Sequence, residues 1–131
     1  MKTSKYVVLI ALLFIACSDG GESSSSSSLP APDYDFSGIW DGTLTGASTA
    51  SIFVLDATQN GNFINGVLVN DAGFEFDITG SAWSDNIKLN GVYVLDNSYT
   101  IVCNGTCDGY YASGTWSDSA GQSGTWEALK Q

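Results

Sequence analysis

Cysteine is the residue type in this chain best equipped for chemistry, because histidine and arginine are both absent. Cys17 stands alone near the N-terminus, whereas Cys103 and Cys107 bracket Asn104-Gly105-Thr106. Three Cys without His give no zinc constellation, and nothing stands ready to activate the abundant Ser and Thr hydroxyls. A redox pair normally takes the form Cys-x-x-Cys at a helix start, and neither feature is present here. Asn-Gly is a strong turn signal, so the spacing predicts a turn that joins Cys103 and Cys107 in a short disulfide loop. So small a loop would stabilise by roughly 2 kcal/mol, and free or redox-active thiols are the alternative. Asp56-Ala57-Thr58-Gln59-Asn60-Gly61 opens like a calcium loop, but Val67 stands where a bidentate Glu is needed, so the segment reads as a hairpin turn. Glycoside hydrolysis needs two carboxylates sharing a cleft, and the acids here take outward positions. The residues therefore imply no enzyme, no metal and no cofactor.

The chain has 131 residues, with 14 Asp and Glu against 4 Lys, a formal charge of −10. A nucleic-acid binder needs clustered cations to meet phosphates, so that function is excluded. Lys2 and Lys5 precede an unbroken apolar run from Val7 to Ala16. Ten residues are too few to span a bilayer and suit the apolar region of an export leader. The run ends in Leu13-Phe14-Ile15-Ala16-Cys17, which resembles the lipobox of bacterial lipoproteins, although Phe14 stands where Leu is usual. The resemblance implies a leader over 1–16 cleaved before Cys17, diacylglycerol on Cys17, and attachment to a membrane without a spanning segment. Ser18 rather than Asp follows the Cys, which in that family favours the outer membrane where the organism has one. An ordinary secretory signal with an incidental Cys is the alternative. Removal of the leader leaves Lys88 and Lys130 against the same 14 acids.

Residues 17–33 read as a tether, with six consecutive Ser (Ser23 to Ser28), Pro30, Pro32 and little apolar content. Such a segment cannot bury enough surface to offset its ordering entropy.

Residues 34–131 read as one all-β domain. Runs rich in Val, Ile, Thr, Tyr, Phe and Trp recur every 10 to 14 residues between turn residues, with no sustained helical period. Eight strands are expected, near 36–45, 50–58, 63–70, 74–83, 87–95, 98–103, 109–117 and 122–130. An antiparallel up-and-down order closed into a barrel removes both exposed edges; a flattened sandwich satisfies most of the same periodicity. Alternation places Trp40, Phe76, Tyr93, Tyr110, Trp116 and Trp126 inward, and Asp41, Glu75, Asp77, Lys88 and Glu127 outward.

Ser37-Gly38-Ile39-Trp40, Ser113-Gly114-Thr115-Trp116 and Ser123-Gly124-Thr125-Trp126 are one pattern used three times, with Gly80-Ser81-Ala82-Trp83 a looser fourth. The last two lie ten residues apart, the length of a strand plus a turn. Gly-x-Trp on the first strand resembles the calycin barrels, the lipocalins and avidins, whose Trp plugs one barrel end. That likeness implies a fold and no particular ligand. The Arg that packs over the Trp in lipocalins is absent, with Lys130 the one substitute. Two functions follow as expectations. One is a lipid-anchored, non-enzymatic cell-envelope module that is structural or meets an envelope protein. The other is a barrel binding a small apolar ligand among Trp40, Tyr93, Tyr110, Trp116 and Trp126. An eight-stranded barrel is just wide enough for either a filled interior or one small ligand, and the aromatic content favours the filled one.

Overall fold

The computed structural model describes residues 29–131 apart from positions 47 and 49, so the leader, Cys17 and the Ser-rich run lie outside the described residues. Eight strands follow in order: β1 (Gly38–Gly46), β2 (Ala50–Asn60), β3 (Phe63–Asn70), β4 (Glu75–Trp83), β5 (Asn86–Tyr93), β6 (Thr100–Cys107), β7 (Tyr111–Asp118) and β8 (Ser123–Lys130). Each pairs antiparallel with the next, and β8 returns to β1 with Thr43 opposite Glu127, closing the barrel. The closed up-and-down barrel, rather than the sandwich, is the architecture.

Period-two patterning produces this wall. On β2, Phe53, Leu55 and Ala57 are buried while Ile52, Val54 and Asp56 are exposed. The same alternation holds on β5, where Ile87, Leu89 and Gly91 turn inward and Lys88 outward. Nineteen apolar side chains form one buried cluster, and among the described residues no polar or charged side chain is buried.

The strand ends differ from expectation at β6. It runs straight through Asn104-Gly105 to Cys107, and the turn comes later, at Asp108-Gly109. There Gly109 adopts φ +102°, and Asp108 Oδ1 accepts N–H bonds from Tyr110 (3.0 Å) and Tyr111 (2.9 Å). An Asx turn plus a left-handed Gly outcompetes the Asn-Gly signal. Those bonds also hold the Asp108 carboxyl below the usual carboxylate range.

Gly105 is needed for curvature instead. It faces Gly114 across β6 and β7, and a Cβ on Gly114 would run into the Asn104 carbonyl. The two strands approach too closely there for any side chain, as at the corners that let a small barrel close.

The barrel has two unlike ends. The entry end gathers the incoming chain, Lys130 and the β2–β3, β4–β5 and β6–β7 turns; the far end carries the others. The incoming chain is docked from Pro30 onward, so the last residues of the segment expected to be a tether are held against the barrel. Asn62 Nδ2 donates to the Pro30 carbonyl (2.7 Å), Ser84 N–H to that of Ala31 (2.9 Å), and Asp33 N–H to that of Ser84 (2.7 Å). This strap clasps both sides of Ser84, which holds a left-handed φ of 53°.

Candidate functional site

The lumen is the first place to seek a site, and three indoles organise it. At the entry end Trp40 is 0% exposed, stacks on Phe36 at 4.5 Å and donates its indole N–H to the Phe36 carbonyl at 2.9 Å. Lys130 Nζ lies 5.8 Å from the Trp40 ring centroid and donates to the Asp35 carbonyl at 3.1 Å. Lys130 thus sets a cation over the Trp40 ring, a cation–π contact. The gap left among Tyr34, Phe36, Ile87 and Cys107 is about 10 Å3, room for one water at most.

In the middle, the two Ser-Gly-Thr-Trp copies clamp one another. Trp126 on β8 stands opposite Gly114 on β7 and reaches past it to the Asn104 carbonyl on β6 (3.1 Å). Trp116 on β7 stands opposite Gly124 on β8 and reaches the Thr45 carbonyl on β1 (3.2 Å). Each ring fills the space its neighbour's Gly leaves, and each buried N–H finds an acceptor. The repeat in the sequence is therefore a reciprocal packing device.

At the far end aromatic rings close the mouth. Tyr93 stacks on Phe74 (5.1 Å), and Tyr99 packs against Phe76 (5.8 Å) and edge-on against Tyr93 (6.4 Å). Tyr99 donates its hydroxyl to Asp118 Oδ2 at 2.7 Å. Burial first, then the bond to this carboxylate and its charge, pushes the phenol up to about 12. Above pH 10 an unfolded tyrosine ionises while folded Tyr99 keeps its proton. The stabilisation is complete below pH 10 and is lost as pH rises towards 12. A phenolate absorbance titration should show one late step, absent in Tyr99→Phe, together with stability that falls over that interval.

Of the residues expected to line the lumen, Trp40, Trp116 and Trp126 share the core, and Tyr93 packs against it half-buried. Tyr110 does not. It lies in the Asp108-Gly109 turn, is 75% exposed, and its position follows from the inward phase starting only at Ala112. Phe74, in phase with the inward Phe76, sits at the rim, 44% exposed.

The expected disulfide is also absent: Cys103 and Cys107 are free thiols, both buried. With the intervening residues extended, their Cα atoms stand roughly 13 Å apart, about twice what a disulfide spans. Burial raises the Cys103 thiol to about 12 and pushes Cys107 up as well, the latter tempered by the Gly109 N–H on its sulfur (3.2 Å). Alkylation of native protein at mildly alkaline pH should leave Cys103 and Cys107 unlabelled for as long as the barrel stays folded, and both should label on unfolding without reductant.

The larger hollows lie on the outer wall. A 420 Å3 groove crosses β7, β8 and β1 between Thr43, Thr45, Thr115 and Tyr111, whose hydroxyl bonds Glu127 (3.0 Å). A 250 Å3 groove lies beside Ile52, Val54, Val69 and Asp71. Strand phase alone does not reveal such grooves, because they depend on which outward residues become neighbours across strands. Among the described residues no group of three or more His, Cys, Asp or Glu is placed to hold a metal.

No protein-family model matches the chain, and no curated protein sequence matches it. Among solved structures it is similar to a redesigned β-barrel, b11L5F_LGL, with a TM-score of 0.63 and 15% identity, over 72% of this chain and 90% of that one. It is also similar to the redesigned barrel mFAP1 bound to DFHBI (TM-score 0.58, 16% identity, 72% and 94% covered) and to EF1p2_mFAP2b bound to DFHBI (0.55, 15%, 72% and 93%). At these identities the likeness concerns the fold, and the chain is a closed eight-stranded β-barrel.

Proposed function

We propose that this chain is a lipid-anchored, non-enzymatic module of the cell envelope that works through the outside of a filled barrel. The observation that carries the reading is the lumen, where Trp40, Trp116 and Trp126 fill the axis and Tyr93 and Tyr99 stopper the mouth. A ligand-binding barrel keeps a cavity and a few inward polar groups to orient its cargo, whereas no polar side chain is buried among the described residues. That same interior holds no carboxylate, and burial keeps its two thiols, Cys103 and Cys107, from ionising readily.

The strap gives the anchor a direction. Pro30 to Asp33 are held at the entry end, so a diacylglycerol on Cys17 would set that end towards the membrane and the far end away from it. Thirteen residues from Cys17 to Pro30 reach at most about 45 Å. The anchor predicts that the full chain fractionates with membranes and that Cys17→Ala releases it.

A second reading is favoured by one finding, that two barrels of similar fold are bound to DFHBI. In that case a small apolar molecule enters the far end beside Tyr93 and Trp116. Titration of the purified chain with apolar ligands, followed by tryptophan emission, separates the two. The filled barrel predicts blue-shifted emission and a flat response. A saturable change at micromolar ligand, weakened by Tyr93→Ala, would replace the first reading with the second.

A further inference from the structure

Apolar and acidic side chains are not spread evenly over the outer wall. Nine of the fifteen large hydrophobic side chains exposed among the described residues lie on β2, β3, β5 and the far-end turns beside them, with Ile52 60% and Leu95 81% exposed. Strand register arranges them with the acids in rows. One row reads Asp41, Val54, Val69, Glu75 across β1 to β4, and the next reads Asp56, Val67, Asp77, Val92 across β2 to β5. In the first row two carboxylates bracket an aliphatic strip two strands wide. Neither described lysine falls in these two rows: Lys130 lies over Trp40, and Lys88 stands on β5 towards the entry end, four residues before Val92 and paired with Ser81 and Asn104. The opposite wall is built differently. Its rows are Thr45, Thr125, Thr115, Asn104 and Thr43, Glu127, Ser113, Thr106, nearly all neutral hydroxyls and amides.

We propose that the wall of β1 to β5 is a docking surface for a cationic amphipathic polypeptide segment, one that lays apolar side chains on the valine strip and Lys or Arg on the flanking acids. Charge complementarity selects this occupant. A second copy of the chain would set acid against acid, and an anionic lipid surface would be repelled for the same reason. The dimensions agree. Strands lie about 4.8 Å apart, so the acids bracketing Val54 and Val69 stand roughly three spacings apart, across a helix of about 10 Å diameter. The 250 Å3 groove beside Ile52, Val54 and Val69 receives the apolar face. This inference rests on the reading of the barrel as an interaction module and names its partner's chemistry.

The test titrates the purified chain with a helical Leu/Lys peptide, its Leu/Gln counterpart and polylysine. The Leu/Lys peptide should bind saturably and the Leu/Gln peptide far more weakly. Val54→Thr with Val69→Thr exchanges two exposed methyls for hydroxyls without touching the core and should weaken binding about tenfold. Glu75→Gln with Asp77→Asn should weaken it comparably and flatten its salt dependence, whereas Thr115→Ala with Thr125→Ala on the opposite wall should change nothing. The proposal is overturned if polylysine binds as tightly as the Leu/Lys peptide, or if the valine pair leaves affinity unchanged. Self-association abolished by the valine pair would assign the wall to a second copy instead. A saturable apolar ligand in the fluorescence titration, by contrast, sinks the filled-barrel reading whatever the peptide does.

Discussion

Trp40→Ala is expected to leave the barrel at or beyond the edge of unfolding at room temperature. Truncating a fully buried Trp costs about 3–5 kcal/mol, and a domain of this size has roughly 5–15 kcal/mol in all. The loss is concentrated because Trp40 does three things at once. It stacks on Phe36, satisfies the Phe36 carbonyl and seats Lys130. Removing it opens a cavity at the end where the chain enters and leaves the Phe36 carbonyl without its donor. Urea denaturation followed by the remaining indoles should show the midpoint falling by half or more of its original value, or no folded baseline. Trp40→Phe, which keeps a stacked ring, should fall between this variant and the parent.

Gly114→Ala is expected to be the most damaging single methyl that can be added to the wall. Its Cβ would meet the Asn104 carbonyl, the same oxygen that accepts the Trp126 indole N–H. β6 and β7 would have to part, and Trp126 would lose its seat and its partner together. Overpacking of this kind costs about 1–3 kcal/mol and occasionally more, and here a buried donor is left unpaired in addition. Gly124→Ala repeats the event on the other half of the clamp, against the Thr45 carbonyl that Trp116 uses. Thr115→Ala, one residue away but outward, should change stability by no more than about 0.5 kcal/mol. A thermal melt of the four proteins checks the ordering.

The barrel was legible because one face of each strand must be apolar. That rule puts Trp40, Trp116 and Trp126 in the core and Asp41, Asp77 and Glu127 outside, before any strand is paired with another. It fails where a strand's true end is unknown. Tyr110 carries the inward phase of Ala112 and Trp116 on paper, but the chain has already turned at Gly109, so its ring faces water. Cys103 and Cys107 failed as a disulfide for the same reason. Asn104-Gly105 looks like a turn locally, and only the pairing of Gly105 with Gly114 shows that it is a bend within a strand.

The repeated Ser-Gly-x-Trp was visible as a pattern, yet its purpose needed the register that sets each Trp opposite the other copy's Gly. The strap from Pro30 to Asp33 was hidden because its composition is that of a linker, and its order comes from Asn62 and Ser84 on distant turns. The acid and valine rows of the outer wall are likewise a property of register. Alternation places every one of those residues outward, but it cannot say that Val54 adjoins Val69.

The proposed function requires a lumen that is closed and packed with side chains, and the indole N–H groups report on it directly. Hydrogen exchange at the four tryptophan indoles, read by NMR in the native protein, is the measurement to make. Trp40, Trp116 and Trp126 are inward and each donates to a backbone carbonyl of the barrel, whereas Trp83 is half-buried on the outer phase of β4. A filled barrel predicts three indole protons that exchange only as fast as the whole domain unfolds, and a Trp83 proton that exchanges well ahead of them. If any of the three exchanged as readily as Trp83, water would be reaching the interior, and the filled barrel would be the wrong description.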